Sequence, residues 1–249
     1  MNSPDALTAA QMRAVEAAAI DSGAVDGLTL MERAGAAVVA EMRASRSARP
    51  GRARVLCGPG ANRGDGYVVA RLLAEEGWSV ELFRFGDPER ATGDAAVMRR
   101  RWLALGQESP LDALGPGDAP DVLVDALFGT GLAQAIPGHV LAAWDRAAPP
   151  ARTLVVAVDA PLGLCLDTGR PRPETRRADL TVTFHRPKLG HLVEAGPEAC
   201  GRLAVADIGL ESRAAAAGAA ARIVRAPTFT LAKGESGHNY AHRHALVLA

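Results

Sequence analysis

The feature that most constrains this chain is a repeated pairing of short apolar runs with turns rich in glycine or acid. "RVLCGPG", "DVLVDALFGTGL" and "TLVVAVDAPLG" each place three to five apolar residues before such a turn. Runs of that length suit strands buried on both faces. Helical patterns lie between them: "GYVVARLLAEEG", closed by Gly77, "DAAVMRRRWLALG", and "PGHVLAAWDRA" with Pro137 near its start. "WSVELFRFG", "DLTVTFHRPKLG" and "GRLAVADIGL" supply further strands. Strands alternating with helices predict an α/β fold with a parallel, doubly wound sheet. Two helices precede it. Thr8 is placed to cap the first and Gly23 to stop it, and Leu30, Met31, Ala34, Val38 and Met42 recur at helical spacing in the second.

The 28 basic and 28 acidic side chains balance, so no global field draws the chain to nucleic acid. Hydrophobic residues make up 48% and aromatic ones 4%, so the core must be aliphatic. Cys57, Cys165 and Cys200 form neither a redox pair nor a metal spacing and read as buried reduced thiols. No apolar run reaches the roughly 20 residues that span a bilayer, and the N-terminus lacks a secretory pattern. The expectation is a cytoplasmic protein with no membrane partner. The three consecutive arginines from Arg99 to Arg101 read as a solvated helix face.

Ligands of open α/β sheets bind outside the carboxyl ends of the strands. In "GPGANRGDG", Gly58 and Gly60 match the start of a dinucleotide fingerprint, but Arg63 stands at the third glycine, and no Gly-Lys-Ser/Thr follows. What remains is either an anion site on free backbone N–H groups at a helix start or a tight turn. Asn62 and Asp65 favour the ligand. Asp125 and Asp159 close two buried runs. Each alone reads as a cap, but together they suit a cation site or acid–base work. Lys188, in "TFHRPKLG", is either a solvated loop residue or a partner for Asp159. His185 and His191 flank it, and His238, His242 and His244 read as surface residues.

"GPGANRGDGYVVARLL", "DALFGTGL", "VDAPLG" with "DTG", "TFHRPKLG" and "ADIG" occur in this order between about Leu7 and Leu210. In order and spacing they resemble the YjeF N-terminal family, the NAD(P)H-hydrate epimerases. The resemblance implies a Rossmann-like three-layer α/β/α fold, commonly dimeric, that interconverts the R and S forms of hydrated NADH and NADPH (NADHX and NADPHX). It implies that Ala61, Asn62, Arg63, Gly64, Asp65 and Gly66 bind the dinucleotide, and that Gly129, Thr130, Gly131 and Leu132 bind its phosphates. Asp159 matches the substrate-binding acid and pairs with Lys188 as the candidate catalytic couple. Asn62 and Asp125 match ligands of a potassium ion (K+). Leu162 replaces the third ligand, usually serine, so that a backbone carbonyl is left there. Arg63 stands for a family glycine, to clasp a phosphate or crowd the turn, and Ala133 and Gln134 stand where an arginine is common. Residues 1–225 would form this domain. Residues 226–249 would be a linker and the first strand of a dehydratase domain, the partner that removes the water, fused or in trans. The rival reading is a non-catalytic nucleotide-binding or scaffold domain. The catalytic reading requires Asn62, Asp125 and Asp159 to converge on one pocket at the rim of the sheet.

Overall fold

A computed structural model describes residues 5–45, 50–90, 92–115, 119–131, 135–147, 153–172, 174–210 and 221–222. The strands are β1 (Asp5–Ala6), β2 (Arg52–Cys57), β3 (Ser79–Arg84), β4 (Glu108–Pro110), β5 (Val122–Ala126), β6 (Leu154–Val158), β7 (Leu180–Phe184), β8 (Arg202–Ala206) and β9 (Ala221–Arg222). The helices are α1 (Ala9–Asp21), α2 (Gly27–Ser45), α3 (Asn62–Glu75), α4 (Gly93–Leu103), α5 (Gly138–Ala147) and α6 (Gly196–Ala199). Seven strands form one sheet in the order β4-β3-β2-β5-β6-β7-β8, every neighbouring pair parallel. β1 and β9 form a separate antiparallel pair.

Alternation along the strands divides the core into two layers. Val55, Cys57, Val122, Val124, Val156 and Val182 pack with Met12, Val15, Val38, Val69 and Met98 from α1 to α4. Leu56 and Leu123 pack on the other face with Val140, Ala143 and Trp144 of α5. The result is the expected three-layer α/β/α arrangement. Both faces of β5 and β7 are buried; β5 accordingly opens on the unbroken apolar run Val122–Val124, whereas β7 alternates apolar residues with Thr181 and Thr183.

The helix signals operate as expected at α1. Thr8 and Gln11 form a reciprocal capping box, and Gly23 adopts φ +71° just past the end. All three cysteines are free and buried. Arg100 and Arg101 are exposed, as expected of a solvated face, whereas Arg99 is half-buried. Arg99 pairs with Glu108 at 2.7 Å and Arg101 pairs with Glu32. The strand β4, which carries Glu108, is too short to show a period, and its Pro110 is tolerated because the strand lies at the sheet edge. No described helix is long and apolar enough to cross a membrane. The expected domain boundary at residues 225 and 226, the terminal strand, and the tail histidines lie outside the described residues.

Candidate active site

The strand order reverses between β2 and β5, where β2 turns to β3 and β5 turns to β6. At such a switch point the loops leaving the carboxyl ends diverge and open a crevice. A cavity of about 560 Å³ occupies it, within the usual range of ligand pockets. It is lined by Gly60, Ala61, Asn62 and Asp65 after β2, by Leu127, Phe128, Gly129, Thr130 and Gly131 after β5, and by Asp159, Phe184 and Lys188 after β6 and β7. Phe85 and Phe128 meet edge to face at 6.2 Å and form an apolar wall.

Two glycines are there because backbone approaches too closely for a side chain. A Cβ on Gly58 would lie 1.6 Å from the Leu127 carbonyl oxygen, so the "GPG" turn is demanded by the neighbouring loop. A Cβ on Gly129 would lie 2.9 Å from Asp159 Oδ2 and 3.4 Å from Asn62 Cγ. Glycine lets this loop close on the acid, and the Thr130 N–H then donates to Asp159 Oδ2 at 3.1 Å.

Asp159 is the centre of the site. It adopts φ +64°, uncommon for a residue with a side chain, immediately beyond β6. Its Oδ1 accepts from Lys188 Nζ and the Thr183 hydroxyl at 2.8 and 2.9 Å, and Lys188 Nζ also donates to the Thr183 hydroxyl oxygen at 2.8 Å. Burial acts to raise the Asp159 pKa, but Lys188, His191 and these hydrogen bonds overcome it and hold the carboxyl below its ordinary value. His191 ties the two backbones together. Its Nδ1 accepts the Lys188 N–H at 3.0 Å, so Nε2 carries the proton and donates to the Asp159 carbonyl at 2.8 Å. Burial, helped by Lys188, pushes the His191 pKa down to about 4.

A second set of carboxyls faces this pair. Asp65, in the first turn of α3, has its pKa raised by burial and then by Asp159 and Glu16. Glu16, on α1, is raised by burial, with Lys188 opposing. The cavity thus holds one carboxyl whose pKa is held down and two whose pKa values are pushed up, a divergence that divides base from acid.

Ala61, Asn62, Asp65, Gly129, Thr130, Gly131, Asp159 and Lys188 therefore converge as the sequence led us to expect. Leu132, Ala133 and Gln134 lie outside the described residues. Five other expected residues do not line the cavity. Arg63 is buried, and its guanidinium donates to the Arg90 carbonyl at 3.1 Å. Gly64 and Gly66 are packing positions. A Cβ on Gly64 would strike Met31, and one on Gly66 would strike Cys57 and Ala126.

Asp125 and Leu162 are the remaining two, so of the three residues required to converge only Asn62 and Asp159 do, and the catalytic reading stands on these two with Lys188. Asp125 stands opposite Ala157 in the β5–β6 register, two residues short of Asp159. That is about 6.6 Å along a strand, so the two acids are not equivalent strand ends. Asp125 is inside the sheet, on the α5 side, where its oxygens accept from Leu127 N–H, Leu162 N–H and Trp144 Nε1–H. Burial pushes its pKa up to about 6. Leu162 packs in the α5 core, and its carbonyl accepts the Arg176 N–H at 2.9 Å. Three N–H groups direct their positive ends at Asp125, and Leu162 adds no side-chain oxygen. The expected trio of Asn62, Asp125 and Leu162 does not fit a potassium ion. No group of three His, Cys, Asp or Glu among the described residues is placed to hold a metal.

Sequence reasoning missed the wall built by α1, where Met12, Arg13 and Glu16 line the cavity. The available signal was a carboxylate beside the apolar stripe of Met12, Val15 and Ala19. It also missed Thr183, whose apolar strand context hides a hydroxyl aimed at Asp159.

A family model described as YjeF-related protein N-terminus matches residues 27–190. The NAD(P)H-hydrate epimerase of Roseobacter litoralis is 42% identical over 234 residues, covering 83% of this chain and 100% of that one. The bifunctional NAD(P)H-hydrate repair enzyme Nnr of Moorella thermoacetica is 38% identical over 221 residues, which are 83% of this chain and 41% of that longer one. The crystal structure of the yeast protein YNL200c shares the fold, with a TM-score of 0.62 at 22% identity over 74% of this chain and 82% of that one.

Proposed function

Because the chain belongs to the family of YjeF-related protein N-termini, we propose that it is an NAD(P)H-hydrate epimerase, an isomerase that interconverts the R and S forms of hydrated NADH and NADPH. The observation that carries this reading is the Asp159–Lys188 pair, buried at the base of a ligand-sized cavity at the switch point of the sheet.

The hydrate bears a hydroxyl on a reduced ring carbon next to the ring nitrogen. Inversion breaks that C–O bond and remakes it on the other face, and the nitrogen lone pair supports the iminium-like species between. A carboxylate beside the ring stabilises that positive charge, and an ionised Asp159 accepts the proton of the incoming water. Lys188 and Thr183 fix Oδ1 of Asp159 and leave Oδ2, bonded to the Thr130 N–H, on the cavity side. The dinucleotide phosphates would lie against the N-terminus of α3 and the backbone of residues 129–131, where N–H groups and the helix dipole favour anions. Arg13, at the exposed rim, replaces Arg63 as the arginine available to them. Phe85 and Phe128 would exclude water from the ring. A dehydratase, fused or separate, would consume one epimer, consistent with the longer bifunctional relative.

Chromatographic separation of the R and S hydrates during incubation with the purified protein tests the reading. The wild type should hasten their equilibration. Asp159→Asn should keep the ligand but lose about 10²–10⁴-fold in rate. Binding without acceleration by the wild type would support the scaffold reading instead.

A further inference from the structure

Inversion through a planar cation needs proton transfer on both faces of the ring, and Asp159 serves one. Resting on the epimerase reading, we propose that Glu16 is a second catalytic residue, the acid–base group for the ring face that Asp159 does not reach.

Glu16 enters the cavity from α1, whereas Asp159 and Lys188 come from the carboxyl ends of the sheet. Its helix is tied to the very loops that build the sheet-side wall. The Leu7 N–H donates to the Pro187 carbonyl at 3.0 Å, and the Leu189 N–H donates back to Leu7 at 2.9 Å. Asp167 accepts the Ala9 N–H at 2.6 Å, and Arg13 donates to the Thr130 carbonyl at 2.8 Å. These bonds hold α1 in register with both Lys188 and the loop against Asp159, so Glu16 sits on a fixed support. The charged groups that face it are Lys188 and Asp159 from the sheet, Asp65 from α3 and Arg13 from its own helix. Lys188 is already engaged by Asp159. Burial pushes the Glu16 pKa up, whereas Lys188 and its neighbours hold that of Asp159 down, so of this pair Glu16 is the one suited to donate first.

The step balances. Glu16 gives its proton to the hydroxyl as the C–O bond breaks, the bonding pair leaves with the oxygen as water, and the ring-nitrogen lone pair forms a C=N bond. A second water attacks the other face, the C=N pair returns to nitrogen, and the water's proton passes to Asp159. The opposite direction exchanges the two roles, and solvent resets the protons between turnovers. Each inversion therefore takes one oxygen from solvent.

The test is epimer interconversion by the full chain, with kcat and KM resolved, its pH profile, and oxygen-18 uptake from labelled water. Glu16→Gln should lower kcat by about 10²-fold or more with KM within about threefold, and should abolish the alkaline limb of the profile. Should that variant fold poorly, Glu16→Ala supplies the second measurement: added formate should restore about tenfold of the lost kcat. A Glu16→Gln enzyme with wild-type kcat and alkaline limb, beside an impaired Asp159→Asn, overturns the Glu16 assignment and leaves the epimerase reading standing. So does a loss confined to KM, a Glu16→Ala enzyme deaf to formate, or inversion without solvent oxygen. A wild type that does not accelerate interconversion overturns both.

Discussion

Replacing His191 with glutamine and measuring urea unfolding at about pH 7 and about pH 5 tests how the catalytic loop is held. In the fold, the His191 pKa is pushed from 6.5 to about 4. Between those values the unfolded chain binds a proton that the folded chain refuses. The stability His191 lends is thus fully present above its unfolded pKa and drains away as pH falls toward the folded one. For these two pKa values, acidification from pH 7 to pH 5 costs about 2 kcal/mol. The structural reason is explicit: a protonated ring presents an N–H at Nδ1 to the Lys188 N–H, donor against donor. Asp125 works the other way. Its folded pKa of about 6 lies above its ordinary value, so it favours the fold by about 1 kcal/mol over the same drop in pH. Glu16 and Asp65 share that sign. The wild-type profile alone mixes these contributions, whereas the difference between wild type and His191→Gln isolates the imidazole. The variant should lose about 2 kcal/mol less than the wild type on acidification. Equal losses in the two proteins, or a His191 ring signal in NMR that titrates near its ordinary pKa, would refute the neutral-imidazole account.

Gly129→Ala should displace the Asp159 carboxylate and lower the inversion rate by roughly 10²-fold; kinetics at wild-type level would mean that the loop yields instead. Arg63→Met should leave KM for the hydrates within about twofold, because the guanidinium bonds Arg90 rather than ligand; a tenfold rise would restore the phosphate role. Exchange of potassium for sodium in the assay buffer should leave kcat unchanged within about twofold, since Asp125 is occupied by N–H donors and Leu162 has no side-chain oxygen. A large loss in sodium would show that an ion displaces those bonds.

Much of the fold was legible because its determinants are local. Apolar runs of strand length announced the buried parallel strands, and the Thr8 box and Gly23 marked the ends of α1. Chain order likewise implied that the turns after β2, β5 and β6 would meet at one rim, and Asn62, the Gly129–Gly131 turn, Asp159 and Lys188 do meet there. What sequence could not supply was register and direction. A glycine beside the cavity and one packed against the core are written with the same letter, and only packing separates Gly129, which closes on Asp159, from Gly58, Gly64 and Gly66. Asp125 and Asp159 end similar apolar runs, yet pairing register puts one inside the sheet and the other beyond the carboxyl end of β6. Glu16 lies well over a hundred residues from Asp159 and Lys188 in the chain. It reaches them because the Leu7 and Lys188 backbones pair and Ala9 and Arg13 bond the neighbouring loops, interactions that no local pattern encodes. Local propensity and periodicity determined the elements of this protein, and the long-range closing of α1 over the sheet decided which acids share its cavity.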